Sequence, residues 1–294
     1  MARISFSGHD TFICKQFWLK KGFDFLSDEQ ASFSNEDSVV RLGVGKNMVR
    51  SIRFWLRSFE VVDSNDEYTS LGEYLFGKEG RDPYLESLGS IWLLHYHLVM
   101  GSHATIYNLF FNKFRRLRQE FTSEQLLAFI TRFCSENDVN VSSNTLQKDV
   151  RVFLNNYMLP SSDKKGPIED AFSGLLYELR LLDRRQRKDI ITEETQEYFI
   201  AESTERSTLP TEVFLYALLN YMGEKTTVTF HDLLLDADSP GSIFALDPGG
   251  LHTHIMSVVD MQIGCSFSET AGNRIVQRNS NLKNSLNLLD EYYN

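Results

Sequence analysis

The clearest chemical signal in this 294-residue sequence is a row of basic residues at helical spacing. On a helix, spacings of three and four place side chains along one face, and four cations repeat at such spacings: Lys46, Arg50, Arg53 and Arg57. The apolar residues between them fall on another face: Met48, Val49, Ile52, Trp55, Leu56 and Phe59. Cations in a line suit contacts to phosphates and guanine edges in a groove. The predicted DNA-binding residues are Arg41, Lys46, Asn47, Arg50, Arg53 and Arg57.

This basic face has no acidic neighbour in the segment 42–58. Like charges four residues apart, such as Lys46 with Arg50, cost a helix a few tenths of a kcal/mol. That cost favours an anionic partner, and double-stranded DNA is the partner we predict. Two alternatives stay open: an acidic surface on a partner protein or on this chain itself, and a simply solvated face.

Two further basic clusters occur later in the chain. Such clusters add phosphate contacts that orient a protein on DNA without reading bases, although each one alone is typical of a solvated surface. The residues predicted as secondary patches are Arg115, Arg116, Arg118, Arg184, Arg185, Arg187 and Lys188.

Patterns that suggest enzyme chemistry are incomplete. Gly43-Val44-Gly45-Lys46 resembles the end of a P-loop, but position 40 is Val and position 47 is Asn, so no nucleotide site is predicted. For His9 beside Asp10 we favour a structural role over an acid–base pair. The other histidines are spaced irregularly for zinc and the three cysteines are isolated. We therefore predict no catalytic residues, no metal, no cofactor and no enzymatic activity.

The elements around the basic row follow the order of a winged helix. A short helix is predicted at 37–42, a Gly-Val-Gly turn at 43–45 and a longer helix at 46–59. A hairpin with the polar turn 63–67 follows, and the next helix begins at Thr69 or Ser70. The tip of this wing is acidic, which predicts repulsion from phosphate rather than contact.

The whole chain is predicted to be mainly α, with winged helix-turn-helix units and small β-hairpins joined by a helical middle region. Three domains are predicted: an N-terminal winged helix-turn-helix domain at 1–100, a helical middle domain at 101–205 with a weaker second helix-turn-helix pattern, and a winged-helix-like domain at 206–294. Within the middle domain we expect a loop at 159–167, a helix at 171–182 and a basic turn or wing-like segment at 184–188.

Bulk composition places the protein among globular proteins. A hydrophobic content of 42% and an aromatic content of 13% are enough for proper cores. The net charge of −10 confines any DNA contact to a local basic patch. No signal peptide or membrane span is predicted, and the isolated cysteines suit a reducing cytoplasm. Protein partners and a homodimer stay open.

Four segments carry a family resemblance: FSGHDTF, FWLKKGFDFL, RLGVGKNMVRSIRFWLRSF and DPYLESLGSIWLLHYHL. They resemble the bacterial domain of unknown function 4007, over most of the chain. The resemblance implies a setting beside phosphosulfate-reductase-type genes of DNA phosphorothioation or phage defence. It implies no catalytic residues.

The sequence therefore predicts a DNA-binding protein, either a regulator or the DNA-targeting subunit of a DNA-modification or phage-defence system. The alternative is a non-catalytic adaptor whose winged-helix modules bind proteins. Steep salt dependence of duplex binding distinguishes the first from the second.

Overall fold

The computed structural model describes residues 4–28, 30–159, 174–188 and 195–294, and it is mainly helical. Nearly all the longer helices are amphipathic or buried, as the sequence periodicity predicts. The helices within the described ranges are α1 (Trp18–Leu26), α2 (Ser38–Leu42), α3 (Lys46–Ser58), α4 (Ser70–Phe76), α5 (Leu88–Met100), α6 (Thr105–Leu109), α7 (Arg115–Leu117), α8 (Ser123–Glu136), α9 (Ser143–Asn156), α10 (Thr211–Met222), α11 (Phe230–Leu235), α12 (Pro240–Ile243), α13 (Pro248–Asp260) and α14 (Asp290–Tyr293). A π-helical turn, Phe110–Phe114, joins α6 to α7, and two short 3-10 helices lie at Tyr177–Leu179 and Leu286–Leu289.

Two small antiparallel sheets complete the described fold. The first has the order β1-β3-β2, and the second has the order β4-β6-β5. Their strands are β1 (Glu120–Phe121), β2 (Asp183–Lys188), β3 (Thr195–Ile200), β4 (Thr227–Thr229), β5 (Cys265–Thr270) and β6 (Asn273–Arg278). The prediction of a mainly α protein with small antiparallel β-structure is thus confirmed.

The element that carries the basic row is held tightly by its neighbour α1. Gly22 on α1 approaches α3 so closely that a Cβ atom there would lie 2.6 Å from Leu56 and 2.7 Å from Ile52. Any larger residue would push the two helices apart. This contact fixes the buried face of α3 and leaves its opposite face toward solvent.

One contiguous hydrophobic core runs from Cys14 to Leu289. Aromatic rings link its parts: Trp55 packs edge-on against Tyr107 at 6.3 Å, and Tyr107 packs against Phe153 at 5.2 Å. Near the C-terminus, the Tyr292 hydroxyl accepts a hydrogen bond from the Ser87 hydroxyl at 2.7 Å. Side-chain contacts thus cross both predicted domain boundaries, and the three-domain division stays a prediction.

One prediction for the middle region is wrong. Residues 174–182 form a turn and the short 3-10 helix Tyr177–Leu179, not part of a helix over 171–182, while 171–173 lie outside the described residues. Of the two forms expected for 184–188, the turn is excluded, because these residues lie in strand β2, whose backbone pairs with β3. Alternate residues of a strand face opposite sides, so its charges do not gather on one face. The predicted loop at 159–167 falls outside the described residues from 160 onward.

Within the described ranges, no helix combines the length and the apolar character that crossing a bilayer requires.

Candidate nucleic-acid interface

The two faces of α3 differ as the sequence predicts. Its core face is fully buried, with Ile52, Trp55 and Leu56 at 0% exposure. The opposite face begins with the exposed residues Lys46, Asn47 and Arg50. Burial of the large apolar side chains supplies the energy that fixes the helix, so the polar face is set by packing on the other side.

The turn before α3 depends on one glycine. Gly43 ends α2 in the left-handed conformation, with φ 62° and ψ 33°, which side-chain-bearing residues adopt at a cost. Gly45 then begins α3 in an extended conformation, without a side-chain cap. A Cβ atom at Gly45 would meet nothing within 4 Å, so the first turn of α3 is open to solvent.

The C-terminal cations of the row are paired, contrary to the prediction that they lack acidic partners. Asp66 accepts hydrogen bonds from both Arg53, at 2.9 Å from Nε and 2.7 Å from Nη2, and Arg57, at 2.8 Å from Nε. Asp66 belongs to the turn after α3, where its φ of 68° turns the side chain back onto the helix. The partner was missed because it lies outside the helix, 13 and 9 residues further along the chain.

The acidic turn at residues 63–67 therefore has two structural tasks. Asp66 ties it to α3, and Asp63 closes it by accepting the backbone N–H groups of Asn65 and Glu67 at 2.7 and 2.9 Å. These backbone hydrogen bonds lower the pKa of the Asp63 carboxyl group. Two guanidinium groups neutralise Asp66, whereas Asp63 and Glu67 are exposed, so repulsion of phosphate by this turn stays a prediction.

The two remaining cations of the row have a weaker partner or none, whereas Arg41 on α2 has acidic partners of its own. Arg50 lies 3.5 Å from Asp10 and stays 57% exposed. Arg41 pairs with Asp28 at 2.9 Å and with Asp37 at 3.9 Å. Among the described residues, no carboxylate lies within 4.0 Å of Lys46. The freely accessible positive charge is thus concentrated at the N-terminal half of α3.

Beside Arg50 lies a loop with an unusual backbone. Positive φ angles occur at Ser7, Gly8, Asp10 and Thr11, at 76°, 113°, 45° and 76°. A Cβ atom at Gly8 would lie 2.5 Å from the ring of Phe54 on α3, so only glycine fits there. Such backbone strain persists only where surrounding contacts hold it.

His9 provides one of those contacts. Its Nε2 lies 2.9 Å from Oδ1 of Asp149 on α9, and both side chains are buried. Its Nδ1 accepts the backbone N–H of Thr11 at 3.3 Å, so the neutral ring donates from Nε2 to the carboxylate. Asp149 also accepts the backbone N–H of Ser7 at 2.9 Å. The partner of His9 is therefore Asp149 rather than Asp10, and sequence analysis missed it across 140 residues.

The secondary basic patches do not form as predicted. Arg115 is 4% exposed and donates to the Ser203 hydroxyl at 2.7 Å, so it belongs to the interior. Burial lowers its pKa to about 10. Arg187 makes a bidentate ion pair with Glu120 at 2.6 and 2.7 Å, and Arg184 pairs with Glu197 at 3.2 Å. The other members of the predicted patches are exposed: Arg116, Arg118, Arg185 and Lys188.

A large cleft of about 1110 Å³ is lined in part by the turn after α3, including Asp63 and Ser64. Its wall holds a hydrogen-bonded chain in which His97 Nδ1 lies 2.7 Å from Glu60 Oε2 and His97 Nε2 lies 3.3 Å from the Tyr216 hydroxyl. Sequence analysis considered His97 only as a zinc ligand. It missed this chain because 37 and 119 residues separate the partners.

Among the described residues, no three histidine, cysteine, aspartate or glutamate side chains come together as a metal-binding group. The cysteines are free, and Cys14, Cys134 and Cys265 are all buried. Burial raises the pKa of the Cys14 thiol well above its usual value, which makes it a poor nucleophile.

Two solved structures are similar to this chain over nearly its whole length. A magnesium ion-bound SspB crystal structure matches with a TM-score of 0.80 and 25% identity, covering 98% of this chain and 88% of that chain. An SspB crystal structure matches with a TM-score of 0.80 and 26% identity, with the same coverage. No curated protein matches this chain. The family model for "Protein of unknown function (DUF4007)" matches residues 6–293, and the chain therefore belongs to that family.

Proposed function

We propose that this protein binds double-stranded DNA through the N-terminal half of α3. Its role would be that of a regulator or the DNA-targeting subunit of a phosphorothioation-type modification or phage-defence system. The likeness to SspB and the membership of the DUF4007 family support the setting. The observation that carries the DNA contact is the exposed trio Lys46, Asn47 and Arg50 on the rigidly packed helix α3.

The contact surface we propose is smaller than the six-residue set predicted from the sequence. Arg50 joins it because its pair with Asp10 is long and exposed, and such pairs contribute little to stability. A phosphate therefore displaces Asp10 at small cost. Arg53 and Arg57 contribute less, because Asp66 already occupies both guanidinium groups.

We interpret residues 38–76 as a winged helix-turn-helix. Helix α2, the Gly43 turn, α3, the hairpin bridge between Val62 and Tyr68, and α4 follow in that order. In this interpretation the wing orients α3 through Asp66 and does not itself hold DNA. Double-stranded DNA, protein partners, a homodimer and a cytoplasmic location belong to this proposal.

The role we propose is binding rather than catalysis. Both ring nitrogens of His9 are engaged in hydrogen bonds that hold the loop and α9 together. One of the similar structures carries a magnesium ion. Magnesium is often held by one or two carboxylates and water, and the described residues bring no group of three or more histidine, cysteine, aspartate or glutamate side chains together.

Binding to a fluorescent duplex, measured by anisotropy over a range of salt concentrations, tests the proposal. The variant Lys46→Glu/Arg50→Glu should abolish binding, and the wild-type affinity should fall steeply with salt, by a slope of about 0.9 per phosphate contact. Arg132→Glu, at an exposed arginine on α8, is the matched control for the single variant Arg50→Glu, because the two reversals change the charge by the same amount. Absence of wild-type binding at low salt, or an equal loss in the control, would refute the proposal and leave the adaptor alternative.

A further inference from the structure

A second basic surface, outside the row on α3, follows the outer face of α1. A cleft of about 460 Å³ lies along it, bordered by Phe17 and Leu42. We call this cleft the α1 groove. A separate cleft of about 690 Å³, which shares none of its lining residues, takes in Lys46 and Asn47 of α3.

The α1 groove is rich in cations although the whole chain is acidic. Among the described residues that line it, Asp24 is the one carboxylate. The cations that line it are Lys20, Lys21 and Arg41. Lys20 pairs with Asp24, and Arg41 pairs with Asp28 and Asp37. These carboxylates are more than half exposed and such pairs are readily opened, so a polyanion can displace them.

Aromatic side chains lie among these cations. Phe17 is 60% exposed and Tyr84 is 57% exposed, and both line the same cleft as Lys20, Lys21 and Arg41. Large exposed aromatic residues are a cost in water unless they meet a partner. Cations between exposed aromatic rings are the arrangement that single-stranded nucleic acids use, because phosphates meet the cations and bases stack on the rings.

We propose that the α1 groove binds single-stranded DNA, with Phe17 and Tyr84 as stacking platforms. The choice of ligand rests on the proposed DNA role of the protein. A duplex fits the groove less well, because its bases are already stacked on one another and cannot reach the rings. An acidic protein segment fits less well too, since the interiors of protein interfaces are poor in charged residues whereas here the cations stand between the aromatics.

Anisotropy with a labelled oligodeoxythymidylate of about 12 nucleotides tests this inference, with a labelled hairpin duplex measured in parallel. Phe17→Ala and Tyr84→Ala should each weaken binding of the oligonucleotide by about five-fold or more, because stacking on a removed ring is lost. Duplex affinity should stay within about two-fold, because neither ring stacks on paired bases. Lys20→Gln/Lys21→Gln should lower the salt slope by about 0.7 for each phosphate contact removed.

Leu235→Ala is the control for removal of an exposed apolar side chain, because Leu235 lies on α11, away from the groove. Thermal unfolding should be unchanged in Phe17→Ala and Tyr84→Ala, since both rings are mostly exposed. The inference is overturned if the oligonucleotide does not bind at low salt, if the aromatic variants bind it as the wild type does, or if the control loses as much affinity. It is also overturned if polyglutamate competes as well as unlabelled oligonucleotide. If the oligonucleotide binds and the duplex does not, the proposed function alone is refuted. If the duplex binds and the oligonucleotide does not, this inference alone is refuted.

Discussion

Neutralising Asp66 should lower the free energy of unfolding and yet increase the affinity of the protein for duplex DNA. Asp66 is 14% exposed and holds two guanidinium groups at 2.7 to 2.9 Å. The change Asp66→Asn keeps the size of the side chain, and asparagine tolerates the positive φ of 68° at this position. The substitution therefore removes the charge and leaves the backbone of the turn in place.

The loss of stability follows from the strength of the removed contacts. Hydrogen bonds to charged groups contribute about 1.5–3 kcal/mol each when buried. The side chains of Arg53 and Arg57 are 34% and 23% exposed, so solvent screens these contacts in part. We expect the free energy of unfolding to fall by about 1–2 kcal/mol, measured by urea unfolding.

The gain in affinity follows from the released cations. Each guanidinium group that can turn to a phosphate steepens the salt dependence by about 0.9 in slope. Duplex binding by Asp66→Asn should therefore be tighter at low salt and fall more steeply with salt than that of the wild type. Glu67→Gln is the matched control, because it makes the same charge change in the same turn at an exposed residue. Lower affinity at an unchanged slope, or equal effects of both variants, would refute this reasoning.

Three further predictions concern two buried side chains, Arg115 and His95, and the constrained backbone at Gly8. Arg115→Ala should lower the free energy of unfolding by about 2–4 kcal/mol, since it leaves a half-buried hydroxyl and a buried carbonyl without this partner. Duplex affinity in the same preparations should stay unchanged, and a loss of affinity at unchanged stability would restore Arg115 to a DNA-binding patch. Burial lowers the pKa of His95 to about 3. Below pH 6.5 the unfolded chain therefore binds a proton that the folded chain does not, and the free energy of unfolding in urea should fall by up to about 1.4 kcal/mol per pH unit until about pH 3. The same slope in His95→Gln would contradict this assignment. Gly8→Ala should destabilise by about 1–3 kcal/mol in thermal or urea unfolding, because φ is 113° and the new Cβ meets Phe54, whereas Gly45→Ala, with open space around it, should be nearly neutral.

Helical periodicity in the sequence was a sound guide to the elements of the N-terminal region. The apolar positions of 46–59 predicted the buried face of α3, because a helix of 3.6 residues per turn can bury one face only. The pair Gly43 and Gly45 predicted the turn before it, where one glycine has the left-handed conformation. Between a turn and a wing-like segment, the sequence of 184–188 could not decide, because five basic and polar residues show no apolar alternation and their strand forms through pairing with β3.

The charge on the basic face could not be predicted in the same way. Asp66 and Asp10 reach α3 from loops before and after it, and no helical spacing records those approaches. The burial of Arg115 could not be predicted for the same reason, since its partners Ser203 and Ser242 lie 88 and 127 residues away along the chain. Considering only acidic residues close in sequence therefore overestimated the number of cations without an acidic partner.

The sequence by itself determined which face of α3 is apolar, which residues are cationic and where the turn before the helix lies. These are local properties, fixed by residue type and by the geometry of one helix. Only the tertiary structure decided which cations are accessible, because electrostatic pairing depends on distances in space of a few ångströms. It left Lys46 and Arg50 exposed, turned Asp66 onto Arg53 and Arg57, and placed a second row of cations with Phe17 and Tyr84 along α1.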